Sequence, residues 1–176
     1  MLKHFNATQN VKERIEEVLG ELADILSKSY SPYGSSTIMI SDSRVSKDGY
    51  EILNSLKPED EFTAFITNLV RSLTNKTLFT AGDGKTTAVL LANRLFNNLN
   101  DVFEEHYSDK TPQEFIMDVN DVANAVLERL DRIKNIPESK EEYLNVAHTS
   151  LNNDNQLLKY IEKALDEIPE GATPHI

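Results

Sequence analysis

The residues best suited to chemistry lie in the segment TAGDGKTTAV, residues 80–89. Gly82 and Gly84 allow the backbone to approach a ligand closely, and Asp83 stands between them. The following run is apolar and predicts a helix that begins near Lys85. Because the N–H groups of a first helical turn have no partner within the helix, they favour anionic oxygens. The segment therefore predicts a phosphate site.

Asp83 indicates that a cation accompanies the phosphate. A carboxylate repels phosphate oxygens unless a metal ion lies between them, and Mg²⁺ prefers oxygen ligands. Thr86 and Thr87 add hydroxyl donors at the start of the predicted helix. The combination predicts a metal–nucleotide complex. Taken alone, the two glycines are equally compatible with a plain loop before a helix.

The segment differs from a P-loop, the commonest phosphate cradle. A P-loop has a glycine five positions before the glycine that precedes Lys-Ser/Thr. Gly84 precedes Lys85 here, and Phe79 occupies the position five residues earlier. The preceding segment also has a helical pattern where a P-loop requires a strand. The sequence therefore disfavours a P-loop.

Composition narrows the classes of protein. A chain of 176 residues is long enough for one ordinary domain with a core. The net charge of -11 and the absence of a basic stripe argue against nucleic acid or an anionic membrane as the main partner. There is no cysteine, which excludes disulfides and thiolate metal sites. Since no long apolar run or signal peptide is visible, we expect a cytoplasmic protein.

Hydrophobic periodicity predicts a mainly helical chain with a small β-hairpin. Helices are expected over residues 11–28, 60–76, 85–99 and 112–134, in a short segment from 139, and over 153–168. The runs STIMIS and RVSKDGYEI predict two short strands, with Asp48-Gly49 as a turn. Two strands alone are barely stable in water, so further strands are expected from elsewhere.

Local signals mark where the helices begin and end. Pro32 stops the first helix, and Gly34 is expected to take a positive φ in the turn that follows. Thr111 and Glu114 predict a capping box at the start of the helix over 112–134. The residues expected to be buried on that helix are Phe115, Ile116, Val119, Val122, Val126, Leu127, Leu130 and Ile133.

Four blocks of the sequence resemble the chaperonin family. AGDGKTTAVLLANRL resembles the family's nucleotide-binding signature, in which Ala-Gly-Asp-Gly-Thr-Thr-Thr opens a helix under the nucleotide phosphates. LADILSKSYSPYGSSTIMI, VSKDGYEIL and VAHTSLNND resemble three further blocks of the family, in the same order and spacing. The resemblance covers nearly the whole chain and is closest to the bacterial GroEL-like group.

The resemblance implies the equatorial-domain fold of a chaperonin subunit, running into the intermediate domain. Residues 1–134 would form the N-terminal segment of the equatorial, ATP-binding domain, and residues 135–176 the start of the intermediate domain. A chaperonin subunit is much longer than this chain, and a second equatorial segment completes its nucleotide pocket. We therefore expect an incomplete equatorial fold that is hydrolytically incompetent alone.

The resemblance also implies a site for ATP and Mg²⁺, with K⁺ as a candidate second cation. The residues expected to bind the nucleotide are Ser29, Tyr30, Ser31, Pro32, Lys47, Asp83, Gly84, Lys85, Thr86 and Thr87. Asp83 would ligate the Mg²⁺. Asp48 matches a family aspartate near the γ-phosphate, and it would orient the attacking water or accept its proton.

Three positions depart from the family's pattern. Lys85 stands where the family has threonine, and its cation would either add affinity for phosphate or crowd the metal. Ser31 replaces a glycine of the turn and Tyr33 replaces a lysine. These departures suggest a divergent, phage-encoded member.

The function implied by the resemblance is ATP-dependent protein folding in an oligomeric ring. The expected partners are identical subunits, unfolded client proteins and a co-chaperonin, with no nucleic acid and no membrane. The alternative is a naturally short, non-catalytic protein of equatorial fold that joins or mimics a chaperonin ring.

Overall fold

Seven helices and one hairpin form the part of the chain described by the computed structural model, residues 9–31, 33–40, 43–107, 109–151 and 154–168. In chain order they are α1 (Gln9–Ser27), β1 (Thr37–Met39), β2 (Arg44–Ser46), α2 (Gly49–Ser55), α3 (Glu61–Ala81), α4 (Lys85–His106), α5 (Pro112–Ile133), α6 (Lys140–Ser150) and α7 (Asn155–Glu167). The predicted fold class, mainly α with a small hairpin, is confirmed. None of the described helices combines the length and apolarity that a membrane span requires.

The chain divides into two compact units, Met1–Phe115 and Ile116–Ile176. In the first unit, α1 packs against α3 and α4, and α2 packs against all three helices and both strands. The buried apolar side chains of this unit form one cluster, made of Val18, Leu22, Leu26, Met39, Ile52, Leu53, Phe62, Ile66, Val70 and Val89. This cluster fixes the relative positions of the segments that carry the candidate site.

The two strands form an antiparallel pair in which Ile38 lies opposite Val45. Met39 and Ser46 face the core, whereas Ile38 and Val45 are exposed. The hairpin is therefore anchored to the helices through one face. The further strands expected to stabilise it are not among the described residues, and they stay a prediction.

The prediction of a turn and strand at Asp48-Gly49 is wrong, because a helix, α2, begins there. Asp48 is the N-cap of α2, and its Oδ1 accepts hydrogen bonds from the N–H groups of Tyr50 (2.7 Å) and Glu51 (3.1 Å). Aspartate favours helix N-caps as strongly as turns, so the dipeptide fits both structures. Burial of the adjacent Ile52 and Leu53 decides for the helix, since successive strand residues would face opposite sides.

Helix α3 runs beyond its predicted end at residue 76 and stops at Gly82. Thr77 and Thr80 are accommodated because their hydroxyls donate to the carbonyls of Leu73 (2.9 Å) and Lys76 (2.7 Å). Gly82 is the C-cap in the left-handed region, with φ of 75°, and its N–H donates to the Leu78 carbonyl. The extended helix places the glycine turn at the end of a rigid element.

The start of α3 depends on Asp60, which caps the helix by accepting hydrogen bonds from the N–H groups of Phe62 and Thr63. The hydrogen bond from the Thr63 hydroxyl, followed by the backbone bonds and the nearby Arg14, lowers the pKa of Asp60 from 3.8 to about 2. The charged carboxylate therefore stabilises the folded state at neutral pH.

We expect Asp60→Asn to flatten the pH dependence of stability in acid. Because the folded-state pKa is below the unfolded value, this stabilisation is present above pH 3.8 and is lost as the pH falls toward about 2. Urea denaturation at several pH values would measure the slope, with Asp121→Asn, a substitution at an exposed position of α5, as the control. A slope in Asp60→Asn equal to that of the wild type would contradict the prediction.

The predicted burial of the apolar stripe of α5 is wrong. No residue of α5 is buried, and Phe115 and Val119 are only half-buried. The stripe residues with more than half of their surface exposed are Ile116, Val122, Val126, Leu127, Leu130 and Ile133. Phe65 and Leu69 on α3 are exposed in the same way. Periodicity detects an amphipathic helix but contains no information on whether another element covers its apolar face.

In the second unit, α6 and α7 pack on each other. Ser139 caps α6, and Asp154 caps α7. The Lys140 ammonium lies 2.6 Å from the Asp166 carboxylate of α7, and this hydrogen bond raises the pKa of Lys140. The predicted helix start at 153 lies outside the described residues. The domain boundary after residue 134 stays a prediction.

Candidate functional site

An open cleft of about 270 Å³ brings together three segments of the first unit. They are the turn after α1, the start of α2 with the residue pair before it, and the turn between α3 and α4. The lining residues are Ser29, Tyr30, Ser31, Lys47, Asp48, Gly49, Asp83, Gly84, Lys85, Thr86 and Thr87. Every residue predicted for the site is among them except Pro32, which lies outside the described residues.

The glycine turn between α3 and α4 ends where the sequence predicts, because α4 begins at Lys85. Gly82 and Gly84 both lie in the left-handed region, with φ of 75° and 85°. Gly84 is the N-cap of α4, and no side chain caps the first turn of this helix. The N–H groups at the start of α4 are therefore available to a ligand. The Asp83 side chain is held against the turn, since its Oδ1 accepts a hydrogen bond from the Gly84 N–H (2.6 Å).

Asp48 uses its two carboxylate oxygens in different directions. Oδ1 accepts the two N–H groups that begin α2, and Oδ2 lies 3.4 Å from the Nζ of Lys85. The Asp48 N–H donates to the Ser46 hydroxyl (3.0 Å), so the backbone is also held. The side chain is nevertheless 47% exposed. One oxygen thus supports the fold while the other faces the cleft.

Lys85 is directed into the cleft wall. Its side chain is only 17% exposed, and its Nζ lies 4.8 Å from the centroid of the Tyr50 ring, in a cation–π contact. The ring is itself fixed, because the Tyr50 hydroxyl donates to Oδ1 of Asn75 (2.9 Å). Tyr50 is therefore a supporting residue of the site that sequence reasoning missed.

The backbone of the turn after α1 differs from its prediction. The predicted positive φ at Gly34 is wrong, and Ser31 takes it instead, with φ of 81°. Gly34 is needed for space, since a Cβ there would lie 2.3 Å from the carbonyl oxygen of Ser29. Left-handed backbone costs a residue with a Cβ about 1–2 kcal/mol, so Ser31 holds strained backbone beside the cleft.

Two further contacts join the segments that line the cleft. The hydroxyls of Tyr30 and Thr87 lie 3.1 Å apart and form a hydrogen bond between the α1 turn and α4. Gly49 is packed against Thr86, and a Cβ at Gly49 would lie 2.2 Å from Thr86 Oγ1. Sequence reasoning assigned Gly49 to a turn only. Its close approach to Thr86 could not be found without the fold.

The oxygen ligands of the cleft suit a Mg²⁺ ion that binds together with a phosphate. In the described part of the chain, they do not form a complete metal site of their own. Across the described ranges, no group of three or more His, Cys, Asp or Glu is placed to hold a metal ion. Among the described residues, the lining of the cleft has two carboxylates, Asp48 and Asp83. Mg²⁺ is usually bound by one or two carboxylates, several waters and the phosphates of its substrate. The lining therefore matches that mode of binding.

The structure has the chaperonin equatorial-domain fold, because it superposes on chaperonin structures over most of its length. The TCP-1/cpn60 chaperonin family model matches residues 22–173, and the chain belongs to that family. The predicted GroEL-like resemblance is thereby confirmed.

Known relatives agree with this placement. The chain is 26% identical over 163 residues to the chaperonin GroEL of Neorickettsia risticii and to that of Neorickettsia sennetsu, which covers 89% of this chain and 29% of each relative. Two crystal forms of the chaperonin gp146 from bacteriophage EL 2 (Pseudomonas aeruginosa), in presence of ATP-BeFx, superpose with TM-scores of 0.75 and 0.72 at 23% identity. They cover 95% and 89% of this chain, and 29% and 28% of gp146. The chain thus spans less than a third of the length of these relatives.

Proposed function

We propose that the cleft binds Mg-ATP and that the protein acts as a chaperonin subunit, folding proteins in a ring driven by ATP hydrolysis. The observation that carries this proposal is the convergence in one cleft of an uncapped helix N-terminus, two threonine hydroxyls and two carboxylates. Membership of the chaperonin family and the crystallisation of gp146 in presence of ATP-BeFx support the choice of nucleotide.

Several lining residues have distinct roles in the proposed complex. The N–H groups at the start of α4 and the hydroxyls of Thr86 and Thr87 donate to phosphate oxygens. Ser29, Tyr30, Ser31 and Lys47 line the side of the nucleotide. A contact from Pro32 stays a prediction of the family resemblance. Asp83 holds the Mg²⁺, which neutralises phosphate charge when it is bound. K⁺ is the candidate second cation.

Asp48 is the proposed hydrolytic residue. Its Oδ2 is directed to the cleft, where a carboxylate orients a water molecule or accepts its proton. Because Oδ1 is engaged by the α2 backbone, the carboxylate is fixed in position before a nucleotide binds. This prior positioning suits a group that must act on a water molecule in one direction only.

Family membership also suggests the setting in which the site works. We assign residues 1–134 to the equatorial domain and residues 135–176 to the start of the intermediate domain. The proposed partners are identical subunits in a ring, unfolded client proteins and a co-chaperonin, in the cytoplasm. An origin in a phage stays a prediction.

A second candidate function is favoured by the ion pair between Lys85 and Asp48. Since this pair engages the proposed hydrolytic carboxylate, the protein would bind nucleotide without hydrolysing it. It would then join or mimic a chaperonin ring as a non-catalytic equatorial-like protein. Release of inorganic phosphate from ATP by the purified full-length subunit, which includes the second equatorial segment, would exclude this candidate.

Asp83→Asn tests the site. We expect the Kd for ATP in Mg²⁺ to rise about ten-fold, which corresponds to ~1.4 kcal/mol, because a metal ligand loses its charge. Isothermal titration of the full-length protein would measure the Kd, and Asp121→Asn is the matched control on an exposed face of α5. An unchanged Kd in a folded Asp83→Asn protein would refute the assignment of Asp83.

A further inference from the structure

We propose that Lys85 supplies a fixed positive charge to the nucleotide site and thereby makes ATP binding less dependent on Mg²⁺. The inference rests on the proposed function, because it concerns how the same cleft holds a triphosphate. It assigns to Lys85 a role in setting the metal requirement, in addition to lining the site.

The first step is the position of the ammonium group. Lys85 is the first residue of α4, beside the uncapped N–H groups that face the cleft. Its Nζ is held 3.4 Å from Asp48 Oδ2 and 4.8 Å from the centroid of the Tyr50 ring. Because the side chain is only 17% exposed, the ammonium is confined to the cleft wall. Its charge is therefore present at the site before any ligand arrives.

The second step is the balance of charge in the lining. The part of the lining that the structure describes contains two carboxylates, Asp48 and Asp83, and two ammonium groups, those of Lys47 and Lys85. These four charges sum to zero. With threonine at position 85 the lining would carry a net negative charge, and a metal-free triphosphate would be repelled. Partial burial strengthens such interactions relative to water.

A role of Lys85 in nucleotide binding and a purely structural role predict different effects of Mg²⁺. If Lys85 only neutralised Asp48 to stabilise the fold, its removal would weaken ATP binding by the same factor with and without Mg²⁺. If its charge substitutes for part of the metal's charge, removal weakens binding chiefly when Mg²⁺ is absent. The ratio of the two dissociation constants distinguishes the two roles.

The experiment measures the Kd of ATP for the full-length protein in Mg²⁺ and in EDTA. We expect EDTA to weaken binding about ten-fold more in Lys85→Thr than in the wild type, a factor typical of one charge-assisted contact. Lys85→Arg should restore the wild-type ratio, because it keeps the charge. Lys163→Thr, the same change at an exposed position of α7, is the control and should behave as the wild type.

Each outcome decides the matter. Equal ratios of the two dissociation constants in wild type and Lys85→Thr would overturn the inference while leaving the nucleotide site intact. No binding of ATP by the folded wild type, even in Mg²⁺, would refute the proposed function and this inference with it. If Lys85→Thr fails to fold by circular dichroism, Lys85→Gln, which also removes the charge but keeps a longer unbranched side chain, replaces it in the same test.

Discussion

Replacing Asp48 with asparagine is expected to lower the rate of ATP hydrolysis by the full-length protein about a hundred-fold or more, the usual contribution of a positioned acid–base group. Helix α2 should stay in place. Asparagine is as good an N-cap as aspartate, so its side-chain oxygen can still accept the N–H groups of Tyr50 and Glu51. The charged oxygen that faces the cleft is lost.

The measurement is single-turnover hydrolysis of bound ATP, together with the free energy of unfolding from urea denaturation. Asp48→Ala is the matched comparison, because it removes both the charge and the cap and should cost about 1 kcal/mol of stability in addition. Asp48→Asn should leave stability close to that of the wild type. This pair of variants separates the chemistry of Asp48 from its role in the fold.

Two results would count against the assignment. Hydrolysis at the wild-type rate in Asp48→Asn would show that Asp48 is only a helix cap. A full-length wild-type subunit that binds ATP without hydrolysing it would instead favour the non-catalytic alternative, in which the ion pair with Lys85 retains the carboxylate.

The long helices and the glycine turn could be predicted because their signals are local. Apolar residues three and four apart define the buried face of α1, and Thr111 with Glu114 forms the predicted capping box at the start of α5. The absence of a Cβ permits the left-handed backbone of Gly82 and Gly84. Such features need no knowledge of the rest of the fold.

The errors lie where tertiary packing chooses between local alternatives. Asp48 fits a turn and a helix cap equally well, and only the burial of Ile52 and Leu53 favours the cap. Ser31 holds left-handed backbone that a sequence argument would assign to glycine. Periodicity predicted a buried α5 because it measures the helix and not what surrounds it.

The candidate site also has features that could be predicted from the sequence and features that could not. The cleft brings together segments that are far apart in the sequence. Only the resemblance to a family predicted that these segments lie close together. The direction of the Lys85 side chain could not be predicted, because a side chain with four rotatable bonds can reach a phosphate or a neighbouring carboxylate. Its contacts with Asp48 and Tyr50 required the packed structure.

Gly49→Ala is expected to destabilise the protein by about 2 kcal/mol, as overpacking of a filled site usually does. The added Cβ would lie 2.2 Å from Thr86 Oγ1, so either α2 or the threonine must move. Since Thr86 is a proposed phosphate ligand, ATP binding should weaken as well. Urea denaturation and titration with ATP would measure the two effects.

Thr86→Ala provides the decisive background, because it removes the Oγ1 that the new Cβ would meet. In that background Gly49→Ala should be neutral or slightly stabilising, since alanine is a better helix former than glycine by about 0.5–1 kcal/mol. Gly20→Ala is the control within a helix, where a Cβ meets nothing within 4 Å, and it should stabilise the protein. If the cost of Gly49→Ala persisted without the threonine hydroxyl, the close packing of α2 on α4 could not be its cause, and Gly49 would have no part in holding Thr86 toward the cleft.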